Sequence, residues 1–119
     1  MGLMLEAQCP CGYVGRSVLG AGRTDFDRSC AAPALCTMCA SVVTVEMMDT
    51  PPLCPDCQGE AITYDSWTVQ DLDDVVGLES VADWNLPDGR SFALPRGARY
   101  VCPHCTEATM TFEVSGFFD

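Results

Sequence analysis

Short apolar and β-branched runs, broken every few residues by Cys, Gly, Pro or Asp, make up most of the 119-residue chain. Residues 3–8 and 13–19 read as strands on either side of a Cys-Pro-Cys segment. Residues 41–48 read as a strand that Asp49-Thr50-Pro51-Pro52 breaks. Further strands are predicted over 60–66, Phe92–Leu94, Tyr100–Val101 and Met110–Val114, with Pro87-Asp88-Gly89 as a turn. Gly20-Ala21-Gly22 opens a predicted loop that runs to Pro33. One segment carries a helical period. Over residues 68–79, Val69, Leu72, Val75 and Val76 fall three to four apart, and Thr68 with Asp71 gives a capping-box-like start.

Three of the runs follow similar text. Cys39 leads into ASVVTVE, Cys57 into QGEAITYD and Cys105 into TEATMTFE. Ile62-Thr63-Tyr64-Asp65 aligns with Met110-Thr111-Phe112-Glu113, and Val43-Thr44-Val45-Glu46 matches after a one-residue gap. Each unit reads as a cysteine turn followed by a strand, one element reused at spacings too irregular for a solenoid.

Composition brings in the chemistry. The chain has nine cysteines, and eight form close pairs: Cys9-Pro-Cys11, Cys36-Thr-Met-Cys39, Cys54-Pro-Asp-Cys57 and Cys102-Pro-His-Cys105, leaving Cys30 over. Four thiolates cage one zinc ion, with Zn–S near 2.3 Å. Two residues between ligands let the backbone turn in a tight knuckle, so both sulfurs reach one metal. Four knuckles therefore predict two sites. An odd count, no export signal and the CxxC spacing argue against a disulfide framework. A thioredoxin-like role needs a βαβ context that the pattern lacks.

The segments CPCGY at 9–13, PALCTMC at 33–39, PPLCPDC at 51–57 and YVCPHC at 100–105 resemble the knuckles of the zinc-ribbon and rubredoxin-like superfamily. The resemblance implies bound metal and knuckles that lead into strands, and it implies that iron can replace zinc. The first knuckle departs from it, with one residue between the cysteines. Sequential, nested and interleaved pairings of the knuckles are all open. Fourteen residues separate Cys39 from Cys54, against 24 between Cys11 and Cys36 and 44 between Cys57 and Cys102. The short connection favours nesting. Cys36, Cys39, Cys54 and Cys57 then share one ion, and Cys9, Cys11, Cys102 and Cys105 share the other.

Charge narrows the function. The formal balance is -11, and eight thiolates holding two divalent ions make it more negative by about four. All six basic residues are arginines, in the groups Arg16, Arg23, Arg28 and Arg90, Arg96, Arg99, while residues 29–89 hold eleven acids and no base. Nucleic acid binding is not expected against such repulsion. Asp71, Asp73 and Asp74 on the predicted helix are the candidate centre of an acidic face for a protein partner. His104, the only histidine, reads as a spacer between ligands. Closed four-cysteine sites leave no open coordination position, so no enzyme is expected. Trp67 and Trp84 are expected to pack over the ribbons; of Phe117 and Phe118, one docks and the other is left for a partner.

No apolar run approaches the roughly 18–20 residues of a membrane span, and the start MGLMLEAQCPCG lacks the basic region of a signal peptide. A cytoplasmic location is expected. The fold class that follows is small, β-rich and metal-stabilised, with two zinc-ribbon-like sites and one short helix. Residues 1–119 form one unit: an inner ribbon at about 33–66, an outer ribbon from about 3–20 and 98–115, and an acidic helical insertion at about 67–88. The expected function is a zinc-binding, non-enzymatic binding or adaptor module. Its rivals are rubredoxin-like electron transfer by iron and a thiol redox or zinc sensor.

Overall fold

Cysteine turns reverse the chain at four places. The computed structural model describes residues 2–22 and 27–118. Strands β1 (Gly2–Gln8) and β2 (Val14–Gly20) pair antiparallel from Gly2↔Gly20 to Gln8↔Val14, with the Cys9 to Tyr13 segment as their turn. Strands β3 (Ala31–Cys36) and β4 (Ser41–Glu46) pair from Ala31↔Glu46 to Cys36↔Ser41 around the second knuckle. The third knuckle is closed by a Leu53↔Glu60 bridge and by the Cys54 N–H donating to the Gly59 carbonyl at 2.8 Å. Strands β9 (Arg99–Val101) and β10 (Ala108–Phe118) enclose the fourth. The other described strands are β5 (Ile62–Thr63), β6 (Gln70–Asp71), β7 (Ser80–Asn85) and β8 (Ser91–Pro95).

The main sheet runs β4-β3-β2-β1-β10-β9-β6, with β5 added to β3, and β7 and β8 form a separate hairpin. One plan appears twice. β10, after the fourth knuckle, pairs with β1, before the first, from Gly2↔Phe118 to Gln8↔Thr111. β5, after the third knuckle, pairs with β3, before the second, through Leu35↔Ile62 and Ala34↔Thr63. One copy is thus inserted between the two halves of the other. The copies meet in an aromatic cluster. Tyr64 and Phe112, equivalent in the sequence repeat, pack edge to face at 5.1 Å between ring centres, and Tyr100 completes the group at 5.9 and 5.1 Å. The Tyr64 hydroxyl donates to the Val101 carbonyl at 2.9 Å, and burial pushes the Tyr64 and Tyr100 hydroxyls up in pKa. The β7–β8 hairpin adds Ala82, Phe92 and Leu94 to the same core. Trp84 of β7 lies over Gly20, where a Cβ would meet its ring at 2.7 Å and φ is +107°.

Several expectations need correction. The predicted helix over 68–79 is absent; among the described residues the helical structure is one 3₁₀ turn, Trp67–Val69. The apolar spacing there finds no face to bury. Val69 is 2% exposed and Val75 packs against the core, but Leu72 and Val76 stand 47% and 89% exposed. The backbone of Gln70 and Asp71 is taken instead by β9, through Gln70↔Tyr100 and Asp71↔Arg99. The Asp71 carboxylate accepts from the Asp73 N–H at 3.0 Å, a local turn that competes with helix. Ser66, rather than Thr68, caps the turn. Trp67 is 81% exposed, because Val69 takes the core position of that turn.

The strand predicted over 60–66 narrows to Ile62–Thr63, after which Tyr64 turns into the core. The predicted loop from Gly20 to Pro33 ends early, at β3; its residues 23–26 lie outside the described set. Pro33 is tolerated inside β3 because it falls between the β2 pairing at Ala31 and the β5 pairing at Ala34, so no ladder bond needs its missing N–H. Of the terminal aromatics, Phe118 lies over Gly2 and Phe117 is 69% exposed.

Glu46 at the end of β4 fixes the approach to β3. It accepts from the Ser29 hydroxyl, from the Cys30 N–H at 2.9 Å and from the Met48 N–H at 3.0 Å. Burial alone would raise its pKa; the three donors outweigh burial and hold the carboxyl below the usual range. A lowered native pKa adds stability above the ordinary glutamate value, lost as pH falls through the native one. Glu46→Gln is therefore expected to lower stability at pH 7 by about 1–3 kcal/mol, measured by chemical denaturation, with the difference from wild type shrinking toward acid.

Candidate metal centres

Among the described residues, the sulfurs of Cys9, Cys11, Cys102 and Cys105 gather in one group and those of Cys36, Cys39, Cys54 and Cys57 in another. Within each group they all lie within 4.8 Å of one another. This is the nested arrangement of the knuckles. Facing sulfurs are 3.7 Å apart for Cys9–Cys105, 3.7 Å for Cys11–Cys102, 3.5 Å for Cys36–Cys57 and 3.8 Å for Cys39–Cys54. A tetrahedron with metal–sulfur bonds near 2.3 Å has edges of about 3.8 Å, so both groups fit one four-coordinate ion.

Each sulfur pair is presented by its hairpin tip. The first cysteine of each knuckle ends a strand or bridge and is buried, and the second stands nearer the surface. The third and fourth knuckles are built alike. The Asp56 and His104 N–H groups each donate to the first sulfur at 3.4 Å, and the Gln58 and Thr106 N–H groups to the first carbonyl at 3.0 and 2.9 Å. Cys39 and Gly59 N–H groups donate to the sulfurs of Cys36 and Cys57, both at 3.4 Å. The residue after each second cysteine is left-handed: Gly12 at φ 103°, Ala40 at 50°, Gln58 at 64° and Thr106 at 62°. For the three without glycine this costs roughly 1–2 kcal/mol each, a strain that metal binding can offset.

The outer group, on Cys9, Cys11, Cys102 and Cys105, differs in detail. A register shift in β10 between Ala108 and Met110 brings the Thr109 hydroxyl to 3.2 Å from the Cys9 sulfur. This hydrogen bond leads in lowering Cys9 to a pKa of about 6. In the inner group the Cys39 N–H leads in lowering Cys36 to about 7. Negative charge settles on those sulfurs while neighbours keep protons. Interaction with the Cys36 sulfur pushes Cys39 up to about 12, and burial pushes Cys102 up to about 12. Tyr13 links the two groups. Its carbonyl accepts from Cys9 N–H at 3.0 Å, its hydroxyl accepts from Val42 N–H of β4 at 2.9 Å, and its ring lies 4.6 Å from that of His104. His104 is thus an exposed spacer that also packs on a neighbour, a contact that spacing alone does not signal.

Cys30 joins neither group. It is fully buried, and burial pushes its thiol up to about 11, so it stays protonated at neutral pH. Asp71 lies in β6, with Asp73 and Asp74 in the turn after it, on a loop in place of the expected helix. Arginines meet acids: Arg16–Glu6 at 3.8 Å, Arg90–Asp88 at 2.6 Å and Arg96–Glu79 at 3.2 Å. Arg23 lies outside the described residues. Among the described residues no helix is long and apolar enough to cross a membrane.

Comparison with protein-family models, with curated proteins and with solved structures finds no match. The two four-cysteine groups are consistent with zinc-ribbon-like sites in a small β-rich protein.

Three outcomes are expected. Protein purified under reducing conditions should hold close to two metal ions per chain, each with four sulfurs by X-ray absorption. Thiols at about 12 must lose protons on binding at pH 7, so apparent affinity in chelator competition should fall at least about tenfold per pH unit toward acid. Cys30→Ser should keep both ions by elemental analysis while lowering stability by about 1–2 kcal/mol, because a hydroxyl replaces a buried thiol.

Proposed function

We propose that this protein is a zinc-stabilised, non-enzymatic binding module that docks a basic segment of a protein partner. The observation that carries the reading is the segment after β6. Leu72, Val76 and Leu78 are 47%, 89% and 102% exposed, beside Asp73, Asp74 and Glu79, while Val75 holds the segment to the core. Large apolar side chains offered to water among carboxylates suit a partner that covers the former and neutralises the latter. Trp67 at the preceding turn is a further exposed apolar side chain. The pairing of Arg16, Arg90 and Arg96 with acids supports a protein partner over nucleic acid. Four sulfurs per group fill a tetrahedron, which supports a structural role for the metal.

The test compares wild type with a Leu72→Ser, Val76→Ser, Leu78→Ser variant as capture baits. The variant should keep its metal content and melt within a few degrees of wild type, because these side chains are exposed. A partner held by wild type should be lost from the variant, weakened by Asp73→Asn with Asp74→Asn, and released by salt. Equal capture by all three proteins would refute the docking surface, and visible absorption by the purified protein would replace zinc with iron.

A further inference from the structure

The two sulfur groups differ in how much chain each must gather. In the inner group, facing sulfurs are 15 and 21 positions apart along the sequence. In the outer group they are 91 and 96 positions apart. The probability of closing a flexible loop falls as about the 3/2 power of its length. Bringing Cys11 to Cys102 from the open chain is therefore disfavoured about fifteenfold relative to bringing Cys39 to Cys54.

The strand connections add to this difference. The scaffold of the inner group, β3, β4, the third knuckle and β5, is contiguous in sequence from Ala31 to Thr63. The outer group sits across a seam. Among the described residues, strands β10, β9 and β6 join the main sheet only through the ladder between β1 and β10. The outer sulfurs lie at the end of that ladder, beyond Gln8↔Thr111, and tie the β1–β2 tip to the β9–β10 tip. The first outer knuckle has the single residue Pro10 between its sulfurs, where the inner ones have two.

From the sequence separations and the seam we infer that the two ions bind in order. The inner group fills first and holds its ion more tightly. The outer ion loads last, exchanges first and acts as a removable clasp across the β1–β10 seam. Tyr13 gives the inner copy a way to assist: its hydroxyl is held by Val42 of β4, beside the inner knuckle, while its carbonyl holds the Cys9 N–H. A formed inner ribbon thus steadies one half of the outer site before the other half arrives. This inference rests on reading both groups as metal sites.

The experiment uses the full chain, reduced and stripped of metal, titrated with ¹¹³Cd²⁺ as the probe. Cadmium couplings to cysteine β-protons report which sulfurs hold each ion. The first equivalent is expected on Cys36, Cys39, Cys54 and Cys57, with at least about tenfold preference. In zinc-loaded protein under chelator, one ion should leave at least tenfold faster than the other. Amide exchange in β9 and β10 should rise with its loss, while β3 and β4 stay protected. Even filling of both groups, first filling of the outer group, or exchange rising uniformly would overturn the order while leaving two metal sites. Uptake of fewer than two ions would overturn the two-site reading and the order with it.

Discussion

Four sulfurs brought to within 4.8 Å of one another, twice among the described residues, is the constraint from which the rest of this structure follows. Such a cluster is unfavourable without a cation, because charge placed on one sulfur forces its neighbours to keep their protons. It becomes the strongest local interaction once a divalent ion enters. To present the sulfurs, each knuckle must reverse the chain in a few residues. That demands tight hairpins and positive-φ residues at Gly12, Ala40, Gln58 and Thr106. The core can then be modest. Much of β3 is alanine and proline, and bulk is concentrated in Tyr64, Tyr100, Phe92 and Phe112. Metal held by the two groups would substitute for apolar mass that small sheet proteins otherwise lack.

The aromatic cluster explains why the two copies form one body. Tyr64 and Phe112 occupy the same place in each ribbon, and each packs on the other. Tyr64 also reaches across to the Val101 carbonyl, one residue before Cys102. The hydroxyl that distinguishes Tyr64 from Phe112 is thus used at the junction, and it fixes the start of the fourth knuckle. Glu46 and Tyr13 do similar work elsewhere, each tying backbone N–H groups from a separate segment into place.

What the sequence made legible was local. The knuckles, the strands beside them and the repeat after each second cysteine could be read because tight turns and pleated strands leave short-range signatures. β3 is not signalled in the sequence, because strands buried on both faces need not alternate, and Ala31-Ala32-Pro33-Ala34 carries little β-propensity. The helical spacing over 68–79 misleads because it shows where apolar residues fall, not whether a surface exists to cover them. Here β9 claimed the backbone at Gln70 and Asp71 first. Glu46 and Tyr13 were invisible as organising residues. Each binds a backbone N–H that folds into reach from 16 or 29 positions away, and no pattern in the text points to it.

The insertion of one ribbon inside the other also sets a timetable for synthesis. A ribosome adds about 5–20 residues per second, so Cys9 emerges roughly 5–20 s before Cys105, which lies 96 positions later. For that interval the nascent chain carries a Cys-Pro-Cys tip with two bare thiols, while the inner knuckles can already be complete. The Cys9 and Cys11 thiols are therefore the most vulnerable to oxidants and to premature cross-linking during translation. Until Cys102 and Cys105 arrive, the other half of that sulfur group is not there to share a metal with them.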